Sequence, residues 1–186
     1  YVGELGYELY IDKNKGKEIY DLIVNTGKDY KLSHCGSHTM DIMRMESGFL
    51  HWGHDISPEE NQYQAGLNFV VSFKKSFDFI GKENLQKIKD KKLDRRFAMF
   101  VLKNSEPGNP LLLHEEPIYL NKKIIGKTTS GNYSFNYNKN LSFGYIKSDF
   151  SNEDLQDKNI YIEIEKKKYP AQILLNPLKQ LNFKTI

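Results

Sequence analysis

Residues 87–94, Lys-Ile-Lys-Asp-Lys-Lys-Leu-Asp, mark a change in apolar period, and that change constrains the fold more than any other feature. Downstream of it the apolar residues fall into short runs at 97–102, 117–120, 123–125, 141–146, 159–164 and 169–174. Such runs, bounded by turn residues, read as strands. Asn121-Lys122 and Glu165-Lys166-Lys167 sit where hairpin connections belong, and Ser130-Gly131-Asn132 reads as a loop. Several short strands at this spacing predict a small antiparallel barrel or sandwich.

Upstream the spacing is mostly helical. Residues 17–26 place Ile19, Leu22 and Ile23 on one face, with Gly27 as the stop. A second helix runs from Ser37 or Thr39, as N-cap, to Glu46. Its apolar face carries Met40, Met43 and Phe49, and Gly48 ends it. Residues 7–11 alternate apolar and polar as a strand does, and 69–73 read as a buried strand. Ile80-Gly81 opens a short helix with Leu85 and Ile88 on one face. The expected fold class is therefore α+β, with an α+β piece over 1–80, a helical linker over 81–94 and an all-β module over 95–186.

Composition narrows the partners. The chain is 39% hydrophobic and 13% aromatic, a globular balance, with a net charge of +3. Its lysines are scattered among acids, whereas nucleic-acid binders concentrate basic residues in a stripe, so no nucleic-acid partner is expected. A modest positive field suits a carboxylate or polyglutamate ligand. No apolar run approaches the roughly 18 residues of a membrane span, and no membrane partner or signal peptide is read. One cysteine excludes an intramolecular disulfide and suits a reducing compartment, taken as the cytoplasm. Cys35 follows His34, but adjacent side chains point apart, and a thiolate needs a base within about 3 Å. His51, His54 and Asp55 invite a metal reading, yet His-x-x-His has no third ligand at a recognised spacing, so no metal is expected. Nucleotide-binding and serine-hydrolase fingerprints are absent from these residues.

Four segments carry a family resemblance. They are Tyr1-Val2-Gly3-Glu4-Leu5-Gly6-Tyr7-Glu8, Asp41-Ile42-Met43-Arg44-Met45-Glu46, Trp52-Gly53-His54-Asp55 and Gly126-Lys127-Thr128-Thr129-Ser130-Gly131. Together with Ala65-Gly66-Leu67 and Phe79-Ile80-Gly81-Lys82, they resemble, in the same order, the folate-binding family of the glycine-cleavage T protein. The closer likeness is to the T-protein-like C-terminal half of dimethylglycine and sarcosine dehydrogenases. The resemblance implies the end of a ferredoxin-like folate-binding region followed by a six-stranded barrel, with 126–131 as a barrel hairpin. The first residue already lies inside a motif that sits mid-protein in that family, so the chain reads as a fragment that packs on N-terminal domains.

In relatives the first Glu of Gly-Glu-x-Gly binds the pterin ring, which maps onto Glu4. The chemistry suits it: a pterin edge presents N–H and NH₂ side by side, and a carboxylate accepts both. Without the resemblance, an acid between glycines reads as a solvated turn residue. Phe49 and Phe69 occupy positions held by aromatics near the folate, although such residues are commonly core. Arg44 and Glu46, two apart, cannot pair on one helix face and are expected to pair with other elements. Met40 stands where glycine-cleavage T proteins carry a folate-reaching arginine, and Gln64 replaces an acid. The resemblance implies tetrahydrofolate as cofactor, FAD only in an upstream domain, and an N-methyl amine as carbon donor. The catalytic Asp of the family is not among these residues. Two other readings stay open: a flavin-free tetrahydrofolate-dependent aminomethyltransferase or demethylase, and a non-catalytic folate-binding regulatory protein.

Overall fold

A computed structural model describes residues 1–155 and 159–175. The expected end of the all-β module, 176–186, lies outside the described residues. Six strands follow the charged stretch: β1 Arg95–Leu102, β2 Pro117–Leu120, β3 Lys123–Ser134, β4 Lys139–Lys147, β5 Ile160–Ile164 and β6 Lys167–Leu174. They close into one antiparallel barrel in the order β1-β4-β3-β2-β5-β6. The fold is α+β with an antiparallel barrel, and the sandwich alternative falls away. The tight hairpins form where turn chemistry predicts them. Leu120 pairs with Lys123 across Asn121-Lys122, with Asn121 at φ 56°. Ile164 pairs with Lys167 across Glu165 and Lys166, both at positive φ, as a type I′ turn requires.

The barrel is filled from alternate positions. Ala98, Phe100 and Leu102 of β1 meet Ile118, Ile125, Ile146, Ile160 and Ile162 inside. Strand β5 shows plain alternation of buried and half-buried residues. By contrast, β1 and β4 are buried almost continuously, because their outward residues are also covered. Phe97, Met99, Leu141, Phe143 and Tyr145 form a second cluster with Ile42 and Met45 of helix α2, Ser37–Glu46. One wall of the barrel is therefore the floor on which α2 lies.

Helix α2 departs from expectation in cap and face. Its N-cap is Gly36, with Ser37 as the first helical residue. Ile42 and Met45 are buried while Met40 is 45% exposed. The polar residues Arg44 and Glu46 share the buried arc, which disguises the apolar stripe. Gly48 ends the helix as predicted: at φ 74° it donates to Met45 O, and Phe49 N donates to Arg44 O, the paired bonds of a Schellman turn.

Elsewhere in 1–94 the helices form and the strands do not. Helix α1 spans Gly16–Gly27, but Leu22 and Ile23 on its apolar face remain exposed. Helix α3, Lys82–Lys89, half-buries Leu85 and Ile88. Residues 7–11 alternate without becoming a strand. Tyr7 and Tyr10 are 85% and 91% exposed, and no described strand lies beside them to take their hydrogen bonds. The apolar run at 69–73 begins instead in a 3-10 turn, Asn68–Val70, with Phe69 on the surface. Period alone cannot supply a strand with a neighbour.

Strand β3 corrects two further expectations. It continues from Lys123 through 130–132, so those residues are neither a loop nor a hairpin. Gly131 serves close packing: a Cβ there would lie 2.5 Å from Leu112 Cγ and 2.9 Å from Leu112 C and O. The register slips between Thr128 and Ser130, a bulge that leaves Thr129 as the extra residue.

Candidate functional site

The junction between α2 and the barrel is held by a buried ion pair. Arg44 and Asp55 are each 1% exposed. Arg44 Nε donates to Asp41 Oδ1 at 2.9 Å, Nη1 to Phe49 O at 3.2 Å and to Asp55 Oδ2, and Nη2 to Ser130 Oγ at 2.7 Å. Asp55 also accepts from His51 N at 2.9 Å, from Ser130 Oγ at 2.8 Å and from Thr129 Oγ1. Consecutive strand residues ordinarily face opposite sides. The bulge at Thr129 lets both hydroxyls reach one carboxylate oxygen. Phe143 lies 5.4 Å beneath the guanidinium, adding a cation–π contact.

Glu46, two residues on, repeats the pattern. Its carboxylate accepts from Ser134 Oγ and, at 2.7 Å, from Asn136 Nδ2. Arg44 and Glu46 therefore pair with the barrel, as their spacing predicts. Asp55 lies in the loop after α2, where a polar residue beside Trp52 would ordinarily face solvent. The structure reverses this, burying Asp55 and leaving Trp52 64% exposed. A carboxylate saturated by four donors is a structural group, available neither as a base nor as a metal ligand. Among the described residues no three His, Cys, Asp or Glu side chains converge as a metal site.

The first residues of the chain dock on the C-terminal end of α2. Tyr1 Oη donates to Leu50 O at 2.6 Å, and its ring stacks on Phe49, centroids 6.1 Å apart and planes 20° apart. Ser47 Oγ donates to Val2 O at 3.2 Å. Gly3 adopts φ 77°, and a Cβ there would lie 1.9 Å from Ser47 Oγ, so only glycine fits this contact. Burial raises the Tyr1 phenol pKa above its ordinary value. Asp55 and Asp41 push it the same way and Arg44 opposes them.

Glu4 emerges from this clamp exposed, with no hydrogen bond or ion pair to any described residue. Phe49 is 38% exposed beside the clamped Gly3. The structure thus brings Glu4 and Phe49 to one place. It joins Phe69, 67% exposed on its 3-10 turn, to neither of them by any described contact. Sequence reasoning missed two features: the burial of Asp55, and a cleft of about 330 Å³ against Arg44 into which His38, His51, His54 and His114 are gathered. No spacing links histidines from three separate segments.

Comparison with known proteins fits this arrangement. Residues 1–75 match the family model described as the GCVT N-terminal domain, and residues 95–179 that described as the glycine cleavage T-protein C-terminal barrel domain. In class the chain is aminomethyltransferase-like. It belongs to the glycine-cleavage T-protein family. It is 36% identical over 181 residues to human mitochondrial dimethylglycine dehydrogenase, which covers 96% of this chain and 20% of that protein. It is 36% identical over 149 residues to the aminomethyltransferase of Halothermothrix orenii, covering 80% of this chain and 40% of that one. The crystal structure of glycine cleavage system aminomethyltransferase T from Bartonella henselae superposes with a TM-score of 0.70 at 19% identity, over 88% of this chain and 45% of that one. That last likeness shows the fold alone. The chain spans about a fifth of the human relative's length. Both of these relatives are enzymes by name.

Proposed function

We propose that this chain is the folate-binding C-terminal portion of a one-carbon-transfer enzyme of the dimethylglycine or sarcosine dehydrogenase kind, which passes a carbon from an N-methyl amine to tetrahydrofolate. One observation carries the reading: Glu4 holds an exposed, uncommitted carboxylate beside an aromatic clamp, whereas the buried acids Glu46 and Asp55 are committed to the fold. The residues fit the cofactor. A pterin edge offers two adjacent donors, and a carboxylate is the side chain that accepts both. Phe49, with Tyr1 behind it, would be one wall, and Phe69 is assigned as another. When bound, tetrahydrofolate supplies the nitrogen that takes up the carbon. Glu4 orients the ring, the aromatics hold its faces, and the barrel helps exclude water.

No catalytic residue is assigned within this chain, and the chain alone is expected to be inactive. FAD is assigned to a region outside it, as is packing against further domains. Support comes from the span of only 20% of the human relative. The proposed division is a folate-region piece over 1–80, a linker over 81–94 and a barrel domain over 95–186. The single thiol suits a reducing compartment, and the cytoplasm is proposed on that ground. The human relative's printed name places that relative in the mitochondrion. Likeness to an aminomethyltransferase supports a second reading, a flavin-free transferase. A dinucleotide-binding fingerprint elsewhere in the protein would decide for the dehydrogenase.

The test is Glu4→Gln in the intact protein. The amide keeps the size but sets a donor against a donor. Charged hydrogen bonds contribute about 1.5–3 kcal/mol, so tetrahydrofolate affinity should fall roughly ten- to hundredfold by titration calorimetry. Amine oxidation should be little changed. Equal affinities in two folded proteins would overturn the assignment.

A further inference from the structure

Four of the chain's five histidines line the cleft against Arg44. His38 comes from the first turn of α2, His51 and His54 from the loop after it, and His114 from the segment before β2. The His51 and His54 rings meet edge-on at 4.5 Å. Asn132 Nδ2 donates to His38 O at 3.4 Å and ties the cleft's two sides together. We propose that this cleft is a carboxylate-binding subsite that takes up protons as it fills.

The charges around the imidazoles give the reason. From α2 the cleft is faced by Asp41 and Arg44, and behind Arg44 lie Asp55 and the Tyr1 phenol. Arg44 is bound to both aspartates, so its charge is already spent. Beside His114, Glu115 is paired with Lys127 at 2.9 Å. With neutral imidazoles the cleft therefore holds no uncommitted positive charge. Each ring that takes up a proton adds a cation and a second N–H donor. The first turn of α2 carries no acid and its N-cap offers no side-chain bond; Thr39 N already donates to Gly36 O, so the N–H groups of Ser37 and His38 are the ones that face the same ligand without a described partner. A carboxylate bound here stabilises protonated histidines, and lower pH strengthens its binding.

Two sources share this chemistry: the glutamyl carboxylates at the tail of tetrahydrofolate, and a free dicarboxylic acid. Only the first rests on the folate reading. The experiment is calorimetry on the intact protein at about pH 6 and about pH 8, in two buffers of different ionisation heat. The probes are tetrahydrofolate, a tetrahydropterin without the tail, and glutarate.

Tetrahydrofolate should bind roughly tenfold more tightly at the lower pH, with net proton uptake, since one charge-assisted bond is of that size. In the double variant His54→Gln, His114→Gln the uptake and the pH dependence should be clearly reduced, His38 and His51 remaining, with affinity at the higher pH retained. The tail-free pterin should bind without uptake and remain sensitive to Glu4→Gln, which separates this subsite from the ring site. Uptake with glutarate alone assigns the free acid, and uptake with tetrahydrofolate but not glutarate assigns the tail. Binding of tetrahydrofolate and glutarate that ignores pH, or equal uptake in the double variant, overturns the proposal.

Discussion

At the scale of single residues, the useful distinction is between charges the fold has committed and charges it has not. Arg44 and Asp55 are committed, and removing one leaves the other buried without its partner. Breaking a buried pair in this way costs about 3–5 kcal/mol. Asp55→Asn keeps shape but removes the charge, so it should lower stability to urea by a large part of that amount without touching Glu4. A loss below about 1 kcal/mol would show that water reaches the pair. Tyr145 makes the opposite case. Its phenol is buried beneath Arg95 with no hydrogen-bond partner among the described residues. Burial raises its pKa, Glu60 and Asp55 raise it further, and Arg95 opposes them. A raised pKa adds stability that is complete below the unfolded value near 10 and is lost as pH climbs from there toward the folded value. Tyr145→Phe removes a buried hydroxyl with no partner among the described residues, so at pH 7 it should leave stability unchanged or raise it, by up to ~3 kcal/mol. Above about pH 10 it should remove a decline of up to ~1.4 kcal/mol per pH unit. Identical alkaline unfolding of the two proteins would refute this.

At the scale of elements, legibility followed how local the cause was. Hairpins at Asn121-Lys122 and Glu165-Lys166 were readable because a two-residue turn needs particular φ values that few residues accept. Helices α1, α2 and α3 were readable from spacing and from Gly48. What failed was non-local. Ser130-Gly131-Asn132 has the composition of a turn, yet Gly131 is there because Leu112, nineteen positions earlier, presses against it. Residues 7–11 alternate correctly but lack a described neighbour strand. The hydroxyls that hold Asp55 depend on a one-residue slip in β3, which no pattern reports. Of the assigned site, Glu4 was reached only through the family resemblance, and the histidine cleft not at all. Gly131→Ala tests the packing account: its Cβ meets backbone as well as side-chain atoms of Leu112, and backbone yields poorly. Overpacking of this kind costs about 1–3 kcal/mol. Thermal unfolding should shift down accordingly, and an unchanged midpoint would mean that the 110s segment simply moves away.

At the scale of the whole molecule, the chain's two parts bury their apolar surface unequally. The barrel is closed, and its interior residues Ala98, Phe100, Leu102, Ile118 and Ile125 are all fully buried. Residues 1–32 instead display Leu5, Tyr7, Leu9, Tyr10, Leu22 and Tyr30 at 62–91% exposure. Large apolar side chains exposed in this number ordinarily mark a surface that another surface covers. The alternation at 7–11 adds a direction, because an extended segment with unpaired backbone groups offers a strand edge. Packing against domains outside this chain would cover the side chains and pair the backbone together. Hydrogen exchange reads the backbone half of that statement directly. In the 186-residue chain the amides of residues 7–11 should exchange at the rate of open backbone, while those of β1 and β4 stay protected. In the intact protein the amides at alternate positions of 7–11 should slow markedly, the pattern that one paired edge produces. Fast exchange at every one of these positions in the intact protein would leave the segment a solvated arm, and the clamp at Tyr1 and Gly3 would then be what places Glu4 among the described residues.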